Sequence, residues 1–124
     1  MKKYNKLIGN YGEDIAVKFL INSGYTILHR NFKCKLGEID IIATIDNIIV
    51  FIEVKSRYSS LFGGTEEAIS LQKRYRIIKV ATYYLTIRKI SGFLVRFDSI
   101  EVNFSKINTT YEINHKIDSF RPNY

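Results

Sequence analysis

The chain has 124 residues, of which 46% are apolar and 25% charged, and these values fit one folded domain and argue against overall disorder. Lys and Arg number 19 against 12 Asp and Glu, a net charge of +7, so we expect a polyanionic partner, with nucleic acid first and an anionic membrane surface second. The single cysteine excludes an intramolecular disulfide, and the two histidines form no zinc motif. No stretch approaches the roughly 18 apolar residues of a membrane span, so we expect a cytoplasmic protein.

The first predicted element is a helix over residues 7–23. Apolar side chains recur there at helical spacing, and Gly24 follows as a natural C-terminal stop. Glu13 lies beside the apolar stripe, where an acid commonly serves solubility alone. Residues 25–33 are rich in β-branched and aromatic side chains and predict the first strand.

The stretch GEIDIIATIDNIIVFIEVKSR, residues 37–57, predicts a β-hairpin. Two apolar runs, 39–45 and 48–54, meet at Asp46 and Asn47, which tolerate the left-handed backbone of a tight turn. With those two residues in the turn, facing positions have numbers that sum to 93. Asp40 is then opposite Glu53, and Glu38 is opposite Lys55.

Strand periodicity places these four charged side chains on one face of the hairpin. Ile39, Ile41, Ile52 and Val54 are expected on the other. Two opposed carboxylates, Asp40 and Glu53, repel each other unless a cation or a proton lies between them. Mg²⁺ binds one or two carboxylates and keeps several waters, and the ammonium of Lys55 would orient a water or stabilise charge on a phosphate.

A simpler reading of these charges stays open. Charged residues near strand ends are commonly solvated, and Asp40 alternatively pairs with Lys55 across a diagonal. Against this, Glu53 and Lys55 interrupt the run IIVFIEV, which is apolar enough for a strand covered on both faces, and burying charge there is costly without a use.

After the hairpin, residues 58–68 predict a loop with Gly63 and Gly64 as its flexible point, either a substrate entrance or a plain connection. Residues 66–69 are compatible with a short edge strand. Ser70 is an N-cap for a second helix over 71–88. Residues 93–102 predict another strand, with Arg96 and Asp98 as a structural pair, and the chain from 103 onward gives only an ambiguous strand or helix signal near residues 111–120.

The second helix carries basic side chains on its polar face. They are either simply solvated or contact nucleic acid, and the net charge favours the second interpretation. Lys73 lies in the first turn, where the helix dipole also attracts a phosphate. The residues expected to contact nucleic acid are Lys73, Arg76, Arg57, Arg74 and Lys79.

The element order α-β-β-β-α-β predicts an α/β fold with a mixed central sheet and helices on its faces. Gly12-Glu13, Gly24-Tyr25, GEID at 37–40 and FIEVKSR at 51–57 resemble the YraN family of bacterial proteins, and the likeness covers roughly residues 9–98. That family is similar to archaeal Holliday junction resolvases, within the restriction-endonuclease-like PD-(D/E)xK superfamily. The resemblance implies a single domain of this fold over residues 1–124.

The resemblance also implies a catalytic site. It would consist of Glu13, Asp40, Glu53 and Lys55, with one or two Mg²⁺ or Mn²⁺ ions bound by Asp40, Glu53, the main-chain carbonyl of Val54 and Glu13. In such enzymes the lysine assists the attacking water. Asp40, Glu53 and Lys55 are the residues that the hairpin register brings together.

Three functional hypotheses follow. The first is a metal-dependent endonuclease acting on structured or branched DNA, with a homodimer expected if a symmetric junction is cut. The second is a nucleic-acid-binding domain of the same fold without efficient cleavage. The third is a basic scaffold for an acidic protein partner.

Overall fold

The computed structural model describes residues 2–59 and 69–122. Its helices and strands are α1 Lys2–Asn22, β1 Thr26–Cys34, β2 Gly37–Ile45, β3 Ile48–Ser59, α2 Leu71–Ile87, β4 Leu94–Ser105 and β5 Tyr111–Phe120. The predicted α/β architecture is confirmed, and the ambiguous signal near the C-terminus is a strand that adds one element to the predicted order. Residues 60–68, which carry most of the predicted loop and of the short strand expected at 66–69, lie outside the described residues.

The five strands form one sheet in the order β1-β2-β3-β4-β5. The first three strands form an antiparallel meander, β3 and β4 are parallel, and β5 is antiparallel to β4. Parallel neighbours need a crossover connection, and α2 lies in the chain between β3 and β4. The sheet is therefore mixed, as the sequence predicted.

Each helix covers one face of the sheet, and β3 is buried between them. Val50 and Ile52 belong to a core with Leu20 of α1, whereas Phe51 belongs to a second core with Val80 of α2. Successive strand residues point to opposite faces, so an almost uninterrupted apolar run is what a doubly covered strand requires.

Both helices end or begin where the sequence indicates. Gly24, with φ of 97°, closes α1, and Ser70 accepts a hydrogen bond from the N–H of Lys73 at the start of α2. Helix α1 extends to Lys2, five residues before its predicted start at residue 7. Among the described residues, neither helix combines the length and the apolarity needed to cross a bilayer.

A buried charged cluster joins β4 to β5 and to the chain after α1. Asp98 is 1% exposed and accepts two hydrogen bonds from Arg96, each 2.8 Å long, so the predicted pair is confirmed. His115 and the main-chain N–H of Asp118 also bond Asp98, and Arg96 donates to the hydroxyl of Tyr25. Burial would raise the pKa of Asp98, but these hydrogen bonds lower it below its usual value. The cluster is a structural ion pair distant in sequence from the predicted catalytic residues.

Candidate metal and nucleic-acid site

The hairpin has the predicted register, and Asp40 lies near enough to Glu53 to feel its charge. The ladder between β2 and β3 runs from Ile45↔Ile48 to Ile41↔Ile52, which keeps the sum of 93. Asp46 adopts the left-handed backbone expected of the turn, with φ of 51°. The ladder stops one position before the two acids would face each other, so the strands separate at the site.

In the gap between the separating strands, the side chain of Asp40 takes the place of a main-chain partner. Its Oδ2 accepts a hydrogen bond of 2.8 Å from the N–H of Val54. In a strand, the N–H and the C=O of one residue lie along the same edge. The carbonyl of Val54 therefore belongs to the edge that faces this gap.

One predicted face assignment is wrong. Ile41, Ile52 and Val54 pack on the α1 side, but Ile39 belongs to the core on the α2 side. The reason lies on β1: between Arg30↔Ile41 and Phe32↔Ile39, the position opposite Asp40 is Asn31, whose φ is 54°. This left-handed residue interrupts the regular alternation, which a count of residues within β2 could not reveal.

Glu38 is also not where the hairpin predicted. It lies beside β1, with its carboxylate 3.8 Å from Nζ of Lys33, and not opposite Lys55 within the ladder. The separation of β2 from β3 beyond Ile41 accounts for the difference. Lys55 lies two residues after Glu53 on β3, half-buried, and lines the same small cavity as Glu53.

Glu53 is held by a cation from α2. Its side chain is 11% exposed, and Oε1 lies 2.7 Å from Nζ of Lys73. Lys73 also stands in the first turn of the helix, where the unpaired N–H groups favour negative charge. The lysine predicted to hold a phosphate thus contacts the carboxylate that was predicted to bind the metal.

Glu13 approaches the site from α1, and a residue that the sequence analysis missed lies against it. The side-chain amide of Asn31, with its nitrogen turned toward the carboxylate, donates to both oxygens of Glu13 at 3.1 and 3.3 Å. Next to this contact, Arg30 pairs with Asp14 at 2.8 Å. The only signal in the sequence was an Asn inside a predicted strand, a residue type that tolerates left-handed backbone.

Two acids of the site, Asp40 and Glu13, have a raised pKa. Burial raises the pKa of Asp40 to about 7, the charge of Glu53 adds to the rise, and the hydrogen bond from Val54 opposes it. Burial also raises the pKa of Glu13, against the lowering effect of Arg30. Glu38 contributes in the same direction to both. The site therefore concentrates negative charge that a cation or a proton would relieve.

The donors present suit a hard divalent cation that keeps water ligands. Within residues 2–59 and 69–122, no group of three or more His, Cys, Asp and Glu side chains is placed to hold a metal ion. Mg²⁺ does not require such a cage, because it binds through one or two carboxylates, with waters and substrate phosphates as the other ligands. Asp40, Glu53 and the carbonyl of Val54 could supply ligands of that kind.

The predicted basic residues lie in three places. Lys73 and Arg76, together with Lys33 of β1, line an open cleft of about 520 Å³ beside the site. Lys33 was not among the predicted contacts, because only the packing of the β1–β2 hairpin beside α2 brings it there. Lys79 lies over the ring of Tyr75, at 4.6 Å from its centroid.

The other two predicted arginines make internal contacts. Nε of Arg74 donates to the carbonyl of Ile69 at 2.7 Å. Nε of Arg57 donates to Asn103 at 2.8 Å, and its Nη2 lies 3.8 Å from Glu101. These two side chains stabilise the fold around the site in addition to any contact with a ligand.

Comparison with known proteins assigns the chain to one family. The model of the uncharacterised protein family UPF0102 matches residues 12–102. A UPF0102 protein of Clostridium perfringens is 54% identical over 121 residues, which cover 98% of this chain and 99% of that protein. UPF0102 proteins of Clostridium botulinum and Clostridium tetani are 49% and 47% identical with the same coverage. The chain therefore belongs to the UPF0102, or YraN, family, as the resemblance indicated.

Proposed function

We propose that this protein is a divalent-metal-dependent endonuclease that hydrolyses phosphodiester bonds in DNA, with structured or branched DNA as its substrate. The observation that carries the proposal is the pair of acids at the point where β2 and β3 separate. Asp40 has a pKa near 7 there because it is buried beside Glu53, and both acids adjoin the main chain of Val54. A bound divalent cation would offset the cost of keeping two neighbouring buried carboxylates charged.

Asp40, Glu53 and the carbonyl of Val54 would hold Mg²⁺ or Mn²⁺, with Glu13 supporting the ion from α1. A bound metal lowers the pKa of a coordinated water and stabilises the charge that develops on a phosphate. Lys55 would orient the attacking water. Asn31 donates to the carboxylate of Glu13 and would help to hold it in place.

The cleft beside the site supplies the contacts to the DNA backbone. Lys33, Lys73 and Arg76 line it, and the net charge of the chain is +7. Lysine and arginine side chains of this kind bind phosphates and make affinity strongly dependent on salt. Because a symmetric junction presents two scissile strands, we also propose that a homodimer carries out the cleavage.

The test combines metal binding with cleavage of a four-way junction. We expect Mn²⁺ to raise the melting temperature of the wild-type protein and to support cleavage, and we expect Asp40→Asn and Glu53→Gln to lose both responses. Lys55→Met should retain the response to metal and lose cleavage. Glu112→Gln, on exposed β5, is the matched control and should keep both.

A nucleic-acid-binding domain without cleavage is the second candidate, and the pairing of Glu53 with Lys73 favours it. An ammonium 2.7 Å from the carboxylate already balances one of the two acids. Junction binding that is steeply salt-dependent, without stabilisation by Mn²⁺ and without cleavage, would establish this candidate in place of the first.

A further inference from the structure

An open cleft lined by aromatic rings lies on the α1 side of the sheet, apart from the acids. Its rings are Tyr11 of α1, Tyr58 of β3 and Phe104 of β4, and its other wall is the turn 105–110. We call it the aromatic cleft. Its volume is about 590 Å³, which is enough for a planar ligand of the size of a nucleoside.

The rings form a platform with a buried centre and exposed edges. Phe104 is 7% exposed, and Tyr11 stacks on it with the ring centroids 5.5 Å apart and the planes at 25°. Tyr58 and Tyr111 lie 5.7 and 6.0 Å from Phe104. These three tyrosines are 58%, 38% and 44% exposed. Large aromatic surface is thus held in place and presented to a ligand.

The polar wall is also held in a fixed conformation. The hydroxyl of Ser105 accepts hydrogen bonds from the N–H groups of Ile107 and Asn108, and Asn108 accepts one from the N–H of Thr110. Lys106 belongs to this wall, so a cation lies beside the rings. Flat apolar surface next to a positive charge suits a base joined to a phosphate.

The aromatic cleft and Glu13 lie on opposite sides of α1. The helix crosses β3 at Gly12, where an added Cβ would come within 1.7 Å of the Ser56 hydroxyl oxygen, so the two backbones approach closely. Glu13 faces Asn31 of β1, whereas Tyr11 faces Phe104 of β4. Glu53 contacts Lys73 of α2 on the other face of the sheet, and it lies five residues before Tyr58 on β3, which is roughly 17 Å along the strand.

We propose that the aromatic cleft binds unpaired nucleobases of single-stranded DNA that continues from the duplex held at the acids. This inference rests on the proposed function and specifies its substrate, since branched DNA offers unstacked bases beside paired ones. Stacking on tyrosine tolerates any base, so the cleft would select for unpaired structure and not for sequence. The charge of +7 favours this occupant over an apolar peptide or lipid.

A tryptophan reporter tests the inference, because the natural chain contains no tryptophan. Tyr11→Trp places an indole in the aromatic cleft, and Tyr83→Trp places one on exposed α2, on the other face of the sheet. An oligothymidylate of twelve nucleotides is added in EDTA at 0.2 M salt, so that the test measures binding without metal and without cleavage. We expect the oligonucleotide to quench and shift the indole emission of Tyr11→Trp and to leave that of Tyr83→Trp unchanged.

Affinity is measured in parallel by the anisotropy of the labelled oligonucleotide. Tyr58→Leu should weaken binding about tenfold, the effect of removing one stacked base contact, while Tyr58→Phe and Tyr83→Leu should bind as the wild type does. Circular dichroism melts of the same variants check that each is folded. If Tyr58→Leu is unfolded, the fluorescence of Tyr11→Trp and Tyr83→Trp still tests the inference.

Three results would overturn the inference. The first is an indole in the aromatic cleft that does not respond to the oligonucleotide. The second is an equal response to duplex DNA or to heparin, which would show attraction by charge alone. The third is self-association that Tyr11→Leu abolishes with no change in affinity for DNA, which would make the cleft a contact between two copies. Cleavage of junctions by a protein whose cleft fails these tests would leave the proposed function intact.

Discussion

Nζ of Lys73 lies 2.7 Å from Oε1 of Glu53, so the first turn of α2 supplies the cation for an acid of β3. The contact joins two elements that the chain places on either side of residues 60–68. It balances one of the two carboxylates at the point where β2 and β3 separate. Asp40, which lacks a lysine or arginine ion pair among those described, is the acid whose pKa rises to about 7.

Lys73→Met should lower the free energy of unfolding at pH 8 in EDTA by about 1 kcal/mol, the upper range for a partly exposed ion pair. The loss should shrink in a Glu53→Gln background, because the buried charge is then absent. Chemical denaturation of the four proteins of this double-mutant cycle measures the coupling. Lys79→Met is the control, since Lys79 lies over Tyr75 and away from the acids. If Lys73→Met lowers the free energy of unfolding equally with Glu and with Gln at position 53, the ion pair between Lys73 and Glu53 is contradicted.

The stability of the metal-free protein should fall as the pH rises from about 4 to about 7. The pKa of Asp40 is raised from 3.8 to about 7 in the folded protein, so folding favours its protonated form. That stabilisation is complete below the unfolded pKa and is lost as the pH passes the folded one. The expected loss is roughly 4 kcal/mol, since the shift is about three pKa units and each unit corresponds to about 1.4 kcal/mol.

Asp40→Asn should flatten this dependence, and Asp46→Asn, in the exposed hairpin turn, should not. Urea denaturation between pH 4 and pH 8 in EDTA provides the measurement. Saturating Mn²⁺ should restore the wild-type stability at pH 8 if the ion binds at Asp40. The same slope in the wild-type and Asp40→Asn proteins would show that another group titrates.

Asn31 has two roles: it adopts a left-handed backbone conformation, and its side-chain amide donates to the carboxylate of Glu13. Two substitutions separate these roles. Asn31→Ala should destabilise the protein by about 1 kcal/mol or more, because Ala at φ of 54° is strained. Asn31→Gly relieves the strain but also removes the amide that faces Glu13. Thermal melts should therefore rank Gly above Ala.

Metal-dependent cleavage should fall in both Asn31 variants if Glu13 must be held in place. Glu13→Gln provides the comparison, because its effect should not add to that of Asn31→Gly when the two residues act as one unit. Fully additive losses in activity would show that the amide acts on something other than Glu13.

Asp98 of β4 is bonded to β5 through His115 and the main-chain N–H of Asp118. Asp98→Asn weakens its hydrogen bonds with Arg96 and His115 in a buried place, and we expect a loss of about 3–5 kcal/mol. Asp118→Asn, which removes an exposed ion pair with Arg121, should leave the denaturation midpoint nearly unchanged. Guanidinium denaturation of both variants decides the matter, and a midpoint for Asp98→Asn within error of the wild type would refute the role assigned to the cluster.

The features that the sequence predicted correctly depend on neighbours along the chain. The Asp46-Asn47 turn fixed the register of β2 and β3, and Ser70 marked the start of α2, because turn and cap chemistry is local. The same register placed Asp40 and Glu53 at adjacent positions of neighbouring strands. The last strand was ambiguous, because residues 111–120 are largely polar and exposed and show no periodicity strong enough to distinguish strand from helix.

The features that were missed involve partners far apart in the sequence. Asn31 faces Glu13, Lys33 joins Arg76 in one cleft, and Ile39 changes face because of a residue on β1. Turn motifs and hydrophobic periodicity within one segment do not predict contacts between residues so far apart in the sequence.

By itself, then, the sequence determined the α/β class, the hairpin register and the pair of acids, because backbone periodicity and turn conformation are set by adjacent residues. Only the tertiary structure decided which cation meets Glu53, which amide meets Glu13 and that Tyr11, Tyr58 and Phe104 form one cleft. Those contacts form when the helices pack on the sheet. Because the hydrophobic burial that drives this packing is not directional, the sequence contains no local pattern that predicts them.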